Sequence, residues 1–119
     1  MELNNAHVVV TGGSRGIGAS LARAYAAQGA RVTVVARSAE ALQAVANEVG
    51  GNAHVADLAD SSVVDTLIAD LEAAYGPIDV LVNNAGVETV DPIATVDVEA
   101  VRATARLNLE TPMILTRQV

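Results

Sequence analysis

Four short apolar runs alternate with stretches whose apolar residues recur at helical spacing, and no other feature of the chain narrows its fold as far. Ala6 to Val10, Val32 to Ala36, Ala53 to Ala56 and Ile78 to Val82 read as strands. After Gly16, the residues Ile17, Leu21, Ala24 and Tyr25 fall at helical spacing, and Gln28-Gly29 closes that helix. Ser38 stands where it can cap a second helix, with Leu42, Val45, Ala46 and Val49 on its inner face and Gly50-Gly51 at its end. Asp60 can cap a third, striped by Val63, Val64, Leu67, Ile68 and Leu71 and stopped by Gly76-Pro77. Asn83 to Asp97 reads as loop, and a last helix starts near Asp97. Continuous apolar strands separated by amphipathic helices imply an α/β fold with a parallel sheet covered on both faces. Right-handed crossovers make such a sheet doubly wound. In the dinucleotide-binding arrangement the strands lie in the order 3-2-1-4. Ligands then bind beyond the carboxyl ends of the strands, near the switch between the first and the fourth. The loops at 11–16, 36–38, 56–58 and 83–88 are therefore the ones expected to carry chemistry.

The chain is 119 residues long, the size of one domain spanning 1–119. Its net charge of −7 argues against nucleic acid or an anionic membrane as the main partner, since both need a basic face. It has no Cys, which excludes disulfides and thiolate metal sites. No apolar run approaches the ~18 residues of a membrane span. The N-terminus lacks a basic-then-apolar secretion signal, so a cytoplasmic protein is expected. There is no Lys, Phe or Trp, and Tyr25 and Tyr75 are the two tyrosines, so the core must be built from Val, Leu, Ile and Ala. His7 and His54 fall on expected strands without Cys or an i, i+4 His partner. They read as structural, and no metal site is expected.

The first strand leads into Thr11-Gly12-Gly13-Ser14-Arg15-Gly16-Ile17-Gly18. Gly12 permits a tight turn, while Gly16 and Gly18 remove Cβ where backbone approaches a pyrophosphate and where helix packs on strand. The helix N-terminus then offers unpaired N–H groups to an anion. The spacing is G-x-x-x-G-x-G rather than the commoner G-x-G-x-x-G. At the end of the second strand stand Ala36, Arg37 and Ser38, where a carboxylate would accept from an adenine-ribose 2′-OH. With no acid there, Arg37 and Arg15 are candidates to meet a 2′-phosphate, and Ser38 could add a hydroxyl donor. Either arginine could instead be a solvated surface charge. Asp57-Leu58 follows the third strand, and Asn83-Asn84-Ala85-Gly86 the fourth. The latter holds no charge and suits a sharp exit from a buried strand.

Taken in order, T-G-x-x-x-G-x-G at 11–18, Asp57-Leu58, Asn83-Asn84-Ala85-Gly86 and Asn108 resemble the short-chain dehydrogenase/reductase family. The resemblance implies a Rossmann-like half sheet, with the family's C-terminal strands missing, and a nicotinamide cofactor. It implies cofactor contacts from Gly12, Ser14, Arg15, Gly16, Ile17 and Gly18. Asp57 and Leu58 would hold adenine, Asp57 by its side chain and Leu58 by its backbone N–H, although Asp57 also fits a plain helix-start turn. Asn83, Ala85 and Gly86 would line the nicotinamide-ribose side. Joined to the Arg37 argument, it gives an NADP(H)-dependent oxidoreductase moving hydride at a carbonyl or alcohol of a small-molecule substrate.

In that family catalysis uses Asn, Ser, Tyr and Lys, the last two as Tyr-x-x-x-Lys, with the lysine lowering the tyrosine pKa. Here Tyr25 is followed four residues on by Gly29 and Tyr75 by Asp79, so Asn108 alone is carried over as a catalytic candidate. The chain is expected to be inactive by itself: a nucleotide-binding module, an assembly fragment, or a homo-oligomer or partner of a complementing C-terminal half. Glu88 and Asp91 lie near a possible substrate mouth but also read as solvated. Val101, Ala105 and Asn108 share a helical stripe, which predicts that Asn108 faces the sheet. Pro112 cannot donate to the Asn108 carbonyl, which predicts a kink over 108–112 and a carbonyl free to hold a water.

Overall fold

The computed structural model describes residues 1–88 and 90–119. Its strands are β1 (His7–Thr11), β2 (Arg31–Ala36), β3 (Asn52–Val55) and β4 (Val80–Val82), and they form a parallel sheet in the order β3-β2-β1-β4. The helices are α1 (Gly16–Ala27), α2 (Ala39–Val49), α3 (Ser61–Tyr75), α4 (Val98–Ala105) and α5 (Thr111–Gln118), the last two joined by a π-turn over Arg106–Glu110. The expected loop over Asn83 to Asp97 is present in its described part, with a turn where Thr95 and Val96 donate to the Pro92 carbonyl. Thr89 lies outside the described residues.

Side chains alternate across a strand, and β1 is buried along its whole length because both faces are covered. Val8, Val10, Val32 and Val34 meet Ala19 and Ala22 of α1 and Leu42, Val45 and Ala46 of α2. On the opposite face Val9 and Val35 meet Val64, Leu67, Ile68 and Leu71 of α3, with Leu115 of α5. The helix ends follow local chemistry. The Asp60 side chain accepts from the Ser62 N–H and caps α3, and Gly50 closes α2 in the left-handed region at φ 62°. Ser38 stands at the start of α2, but its hydroxyl makes no capping bond, contrary to expectation.

The inner face of α1 also differs from the sequence reading. Gly18, Ala19 and Ala22 are buried, whereas Ile17 is 74% exposed. The helix comes closest to the sheet at its first turn, where only small residues fit. A Cβ on Gly18 would stand 2.1 Å from the Gly12 carbonyl oxygen. His7 is fully buried, with Nδ1 3.0 Å from the carbonyl oxygens of Gly76 and Pro77 and Nε2 2.9 Å from Thr33 Oγ1. Two carbonyls at Nδ1 require a donor there, and Nε2 pairs with the Thr33 hydroxyl. The ring thereby ties β1 to the end of α3 and to β2.

Candidate functional site

The carboxyl ends of β1 and β4 are laced together by Thr11 and Asn84. Thr11 Oγ1 accepts from the N–H groups of Asn84 and Ala85 at 3.1 Å each and donates to the Val82 carbonyl at 3.3 Å. Asn84 Nδ2 donates to the Gly12 carbonyl at 3.2 Å. Gly12 takes φ +66°, and a Cβ there would approach Ala85 Cα to 2.9 Å, so this close passage of two loops needs glycine. Gly16 takes φ +59° but has nothing within 4 Å of a Cβ position, leaving open space at the N-terminus of α1.

The space between these loops is a cleft of about 410 Å³. Of the residues singled out from sequence, Gly12, Ser14, Arg15, Arg37 and Ser38 line it on the β1 and β2 side. Asp57 and Leu58 line it beyond β3, and Ala85 and Gly86 beyond β4. Arg15 and Arg37 are both exposed, and among the described residues the ion pairs are Arg23–Glu48 and Arg102–Glu99. The two cations of the cleft therefore face it without a carboxylate partner. Asp57 Oδ1 accepts from the Ala59 N–H at 3.0 Å, so the turn role suggested from sequence is filled while the side chain still lines the cleft.

Other candidates lie elsewhere. Gly16, Ile17 and Gly18 do not line the cleft; Gly18 is buried beneath the Gly12 carbonyl and Ile17 projects outward. Asn83 also points away from it, donating through Nδ2 to Thr116 Oγ1 of α5 at 3.0 Å. Side chains alternate along the exit from β4. With Asn84 turned to Gly12, Asn83 turns the other way.

Asn108 requires a correction. Val101, Ala105 and Asn108 are exposed rather than turned to the sheet, and the buried residues on this stretch are Thr111 and Leu115. The break that Pro112 demands takes the form of the π-turn, in which the Thr111 N–H reaches the Arg106 carbonyl and Pro112 falls in the first turn of α5. The Asn108 side chain pairs with one residue of the β4 exit: Oδ1 accepts from the Val87 N–H at 2.8 Å, and Nδ2 donates to the Val87 carbonyl at 2.6 Å. It thus fixes a wall of the cleft instead of entering it.

Thr11, Val87, Ala103 and Leu107 do not stand out as site residues in the sequence. Thr11 opens the glycine motif and so carried a local sign. Ala103 and Leu107 reach the cleft because α4 folds back over it, and no short-range pattern encodes that.

A family model described as short chain dehydrogenase matches residues 6–119. D-threitol dehydrogenase of Mycolicibacterium smegmatis is 35% identical over 123 residues, covering 99% of this chain and 47% of its own length. Galactitol 2-dehydrogenase of Agrobacterium fabrum is 32% identical, covering 100% and 47%. A metagenomic short-chain oxidoreductase, solved in complex with NADP, superposes with a TM-score of 0.87 at 41% identity, covering 98% of this chain and 56% of that one. The chain spans about half the length of the curated relatives it matches.

Proposed function

The chain belongs to the short-chain dehydrogenase family, and from that premise we propose that its cleft is the cofactor half of an NADP(H)-dependent oxidoreductase acting on a carbonyl or alcohol. The observation that carries the reading is the pair Arg15 and Arg37, which face the cleft without an acidic partner among the described residues, at the end of a strand that offers no carboxylate. Both cations fit a ribose 2′-phosphate, and a carboxylate for a free 2′-OH is lacking. The structure solved with NADP, at 41% identity, supports the same choice.

Fit of the rest of the cofactor follows from the backbone. The open space over Gly16 and the N-terminus of α1, which no side chain caps, suit a pyrophosphate. Asp57 and the Leu58 N–H stand where adenine would lie, and Ala85, Gly86 and Val87 form the wall for the nicotinamide ribose. Asn108 holds that wall in place through Val87. The nicotinamide, when bound, supplies hydride exchange with the substrate carbon. The proton must come from a group outside these residues, because the Tyr75 hydroxyl is spent on the Ala53 carbonyl, Tyr25 is absent from the cleft and the chain has no lysine. That lack favours a second reading for the chain taken alone, a nucleotide-binding module that does not turn over. The open edge of β4 and the exposed Val98, Val101, Leu109 and Met113 would meet a second copy or a complementing half. A monomer by sedimentation, unchanged by any added half, would overturn that part.

The test of the cofactor reading is a calorimetric titration of NADPH and NADH into the chain and into Arg37→Ala. Each charge-assisted contact is worth ~1.5–3 kcal/mol, so NADPH should bind about tenfold or more tightly than NADH, with most of that margin lost in Arg37→Ala. Equal affinities in the unmutated chain, or a margin that survives the substitution, would overturn the reading.

A further inference from the structure

The π-turn does more than accommodate Pro112. In an α-helix, residues five apart differ by about 140° in direction, so the side chains of Arg106 and Thr111 would diverge. Here the Thr111 N–H bonds the Arg106 carbonyl, which stacks residue 111 nearly over residue 106. Both side chains consequently reach the same short segment, the turn that follows β3. Thr111, buried, donates its hydroxyl to the Leu58 carbonyl at 2.7 Å. Arg106 reaches the Ala59 carbonyl from Nη1 at 3.5 Å, a weaker contact at the same place. Asn108, between them in sequence, points to Val87 on the other wall of the cleft.

A π-turn inside a helix often marks a functional position, and this one braces both walls of one cleft. We propose that Thr111, assisted by Arg106, is a positioning residue for the adenine end of the cofactor site, holding the Leu58–Ala59 backbone so that the Leu58 N–H and the Asp57 carboxylate present themselves to the base. The proposal rests on the cofactor reading above. Two features support it. The Thr111 bond is the one tie in this turn made by a fully buried side chain, and it lands on the peptide next to the N–H that would meet adenine. Its other hydrogen bonds are internal, from the Ala59 N–H to the Asp57 side chain and from the Asp60 N–H to the Asp57 carbonyl, or run to β2 through the Ala56 N–H on the Ala36 carbonyl, while Leu58 packs into the core. Among the described residues, Thr111 and Arg106 are the side chains that hydrogen-bond this turn to the helical segment carrying Asn108, and so link it to the β4 wall.

The experiment uses the 119-residue chain and adenosine 2′,5′-bisphosphate, which carries the adenine end without nicotinamide, with affinity read by calorimetry. Thr111→Val keeps shape and removes the donor. It should weaken binding about three- to tenfold, the scale of one neutral hydrogen bond, and Thr111→Ser should restore affinity to within about twofold. Gln118→Ala is the stability control. It removes the two bonds from α5 to the Val64 and Asp65 carbonyls without touching the adenine turn, and should leave affinity unchanged. Should Thr111→Val fail to fold, Arg106→Gln tests the same brace from a less buried site and should weaken the bisphosphate measurably. Unmutated affinity in Thr111→Val (or, in its stead, Arg106→Gln), or an equal loss in Gln118→Ala, overturns the proposal while leaving the cofactor reading intact. Failure of the unmutated chain to bind the bisphosphate overturns both.

Discussion

Replacing Gly18 by alanine separates a local rule from the packing seen here. In an exposed helix interior, Gly→Ala stabilises by about 1 kcal/mol, and propensity alone therefore predicts a gain. In this fold the added Cβ would stand 2.1 Å from the Gly12 carbonyl oxygen and 2.5 Å from Asn84 Nδ2. Non-bonded atoms do not approach so closely, so α1 must withdraw by roughly 1 Å, in an interior packed as densely as an organic crystal. Withdrawal loosens Ala19 and Ala22 from β1 and stretches the 3.2 Å bond between Asn84 and Gly12. Overpacking of this kind costs ~1–3 kcal/mol, and the strained hydrogen bond adds ~0.5–1.5 kcal/mol. Against the gain from propensity, the net is a loss of about 0.5–3.5 kcal/mol. At roughly 4 °C per kcal/mol, where the ranges for smaller and larger domains meet, melting should fall by on the order of 10 °C when followed by circular dichroism. Gly50→Ala is the comparison, since it meets no atom within 4 Å and bears only the cost of φ +62°. A Gly18→Ala chain that melts at or above the unmutated temperature would refute the packing argument.

Two other outcomes follow from the same structure. The Ser62 hydroxyl and N–H hold the Asp60 carboxylate below the usual carboxylate range. A folded-state value depressed in this way contributes stability above the unfolded-state value, near ~3.9, and that contribution fades as pH falls through the lower folded one. Asp60→Ala should therefore melt lower than the unmutated chain at pH 7, with the gap closing in acid melts below about pH 4; a gap independent of pH would contradict the cap. The purified 119-residue chain supplied with NADPH and a small aldehyde or ketone should show no steady turnover. Sustained cofactor oxidation coupled to carbonyl reduction, with chain mass confirmed, would show that proton transfer needs neither lysine nor a free tyrosine.

The order of elements and the loops that form the cleft were legible because they rest on period and on glycine. Valine-rich runs alternating with amphipathic helices fit a parallel sheet covered on both faces, and the observed order β3-β2-β1-β4 is the one expected. The caps at Asp60 and Gly50 were legible for the same local reason. What sequence concealed depends on how closely elements approach. The α1 stripe of Ile17, Leu21, Ala24 and Tyr25 satisfies helical spacing, yet the buried side is the small-residue face, because the sheet lies too near for larger groups. Asn83 reads as a cofactor contact until the alternation imposed by Asn84 on Gly12 turns it to Thr116. The Asn108 stripe assumed 3.6 residues per turn. The π-turn adds a residue there, so Asn108 lands on Val87 and Thr111 on Leu58.

Under the proposed cofactor reading, one cleft walled by the ends of all four strands receives NADP(H), with its 2′-phosphate at Arg15 and Arg37 and its adenine at the turn after β3. The most direct measurement is a backbone amide NMR titration of the 119-residue chain with NADPH. Shifts are expected only at Gly12–Ile17, Arg37–Ser38, Asp57–Ala59 and Ala85–Val87, with the outer faces of α2 and α3 unmoved. NADH should reproduce the pattern except around Arg15 and Arg37. No saturable shifts, or shifts centred away from these loops, would contradict it.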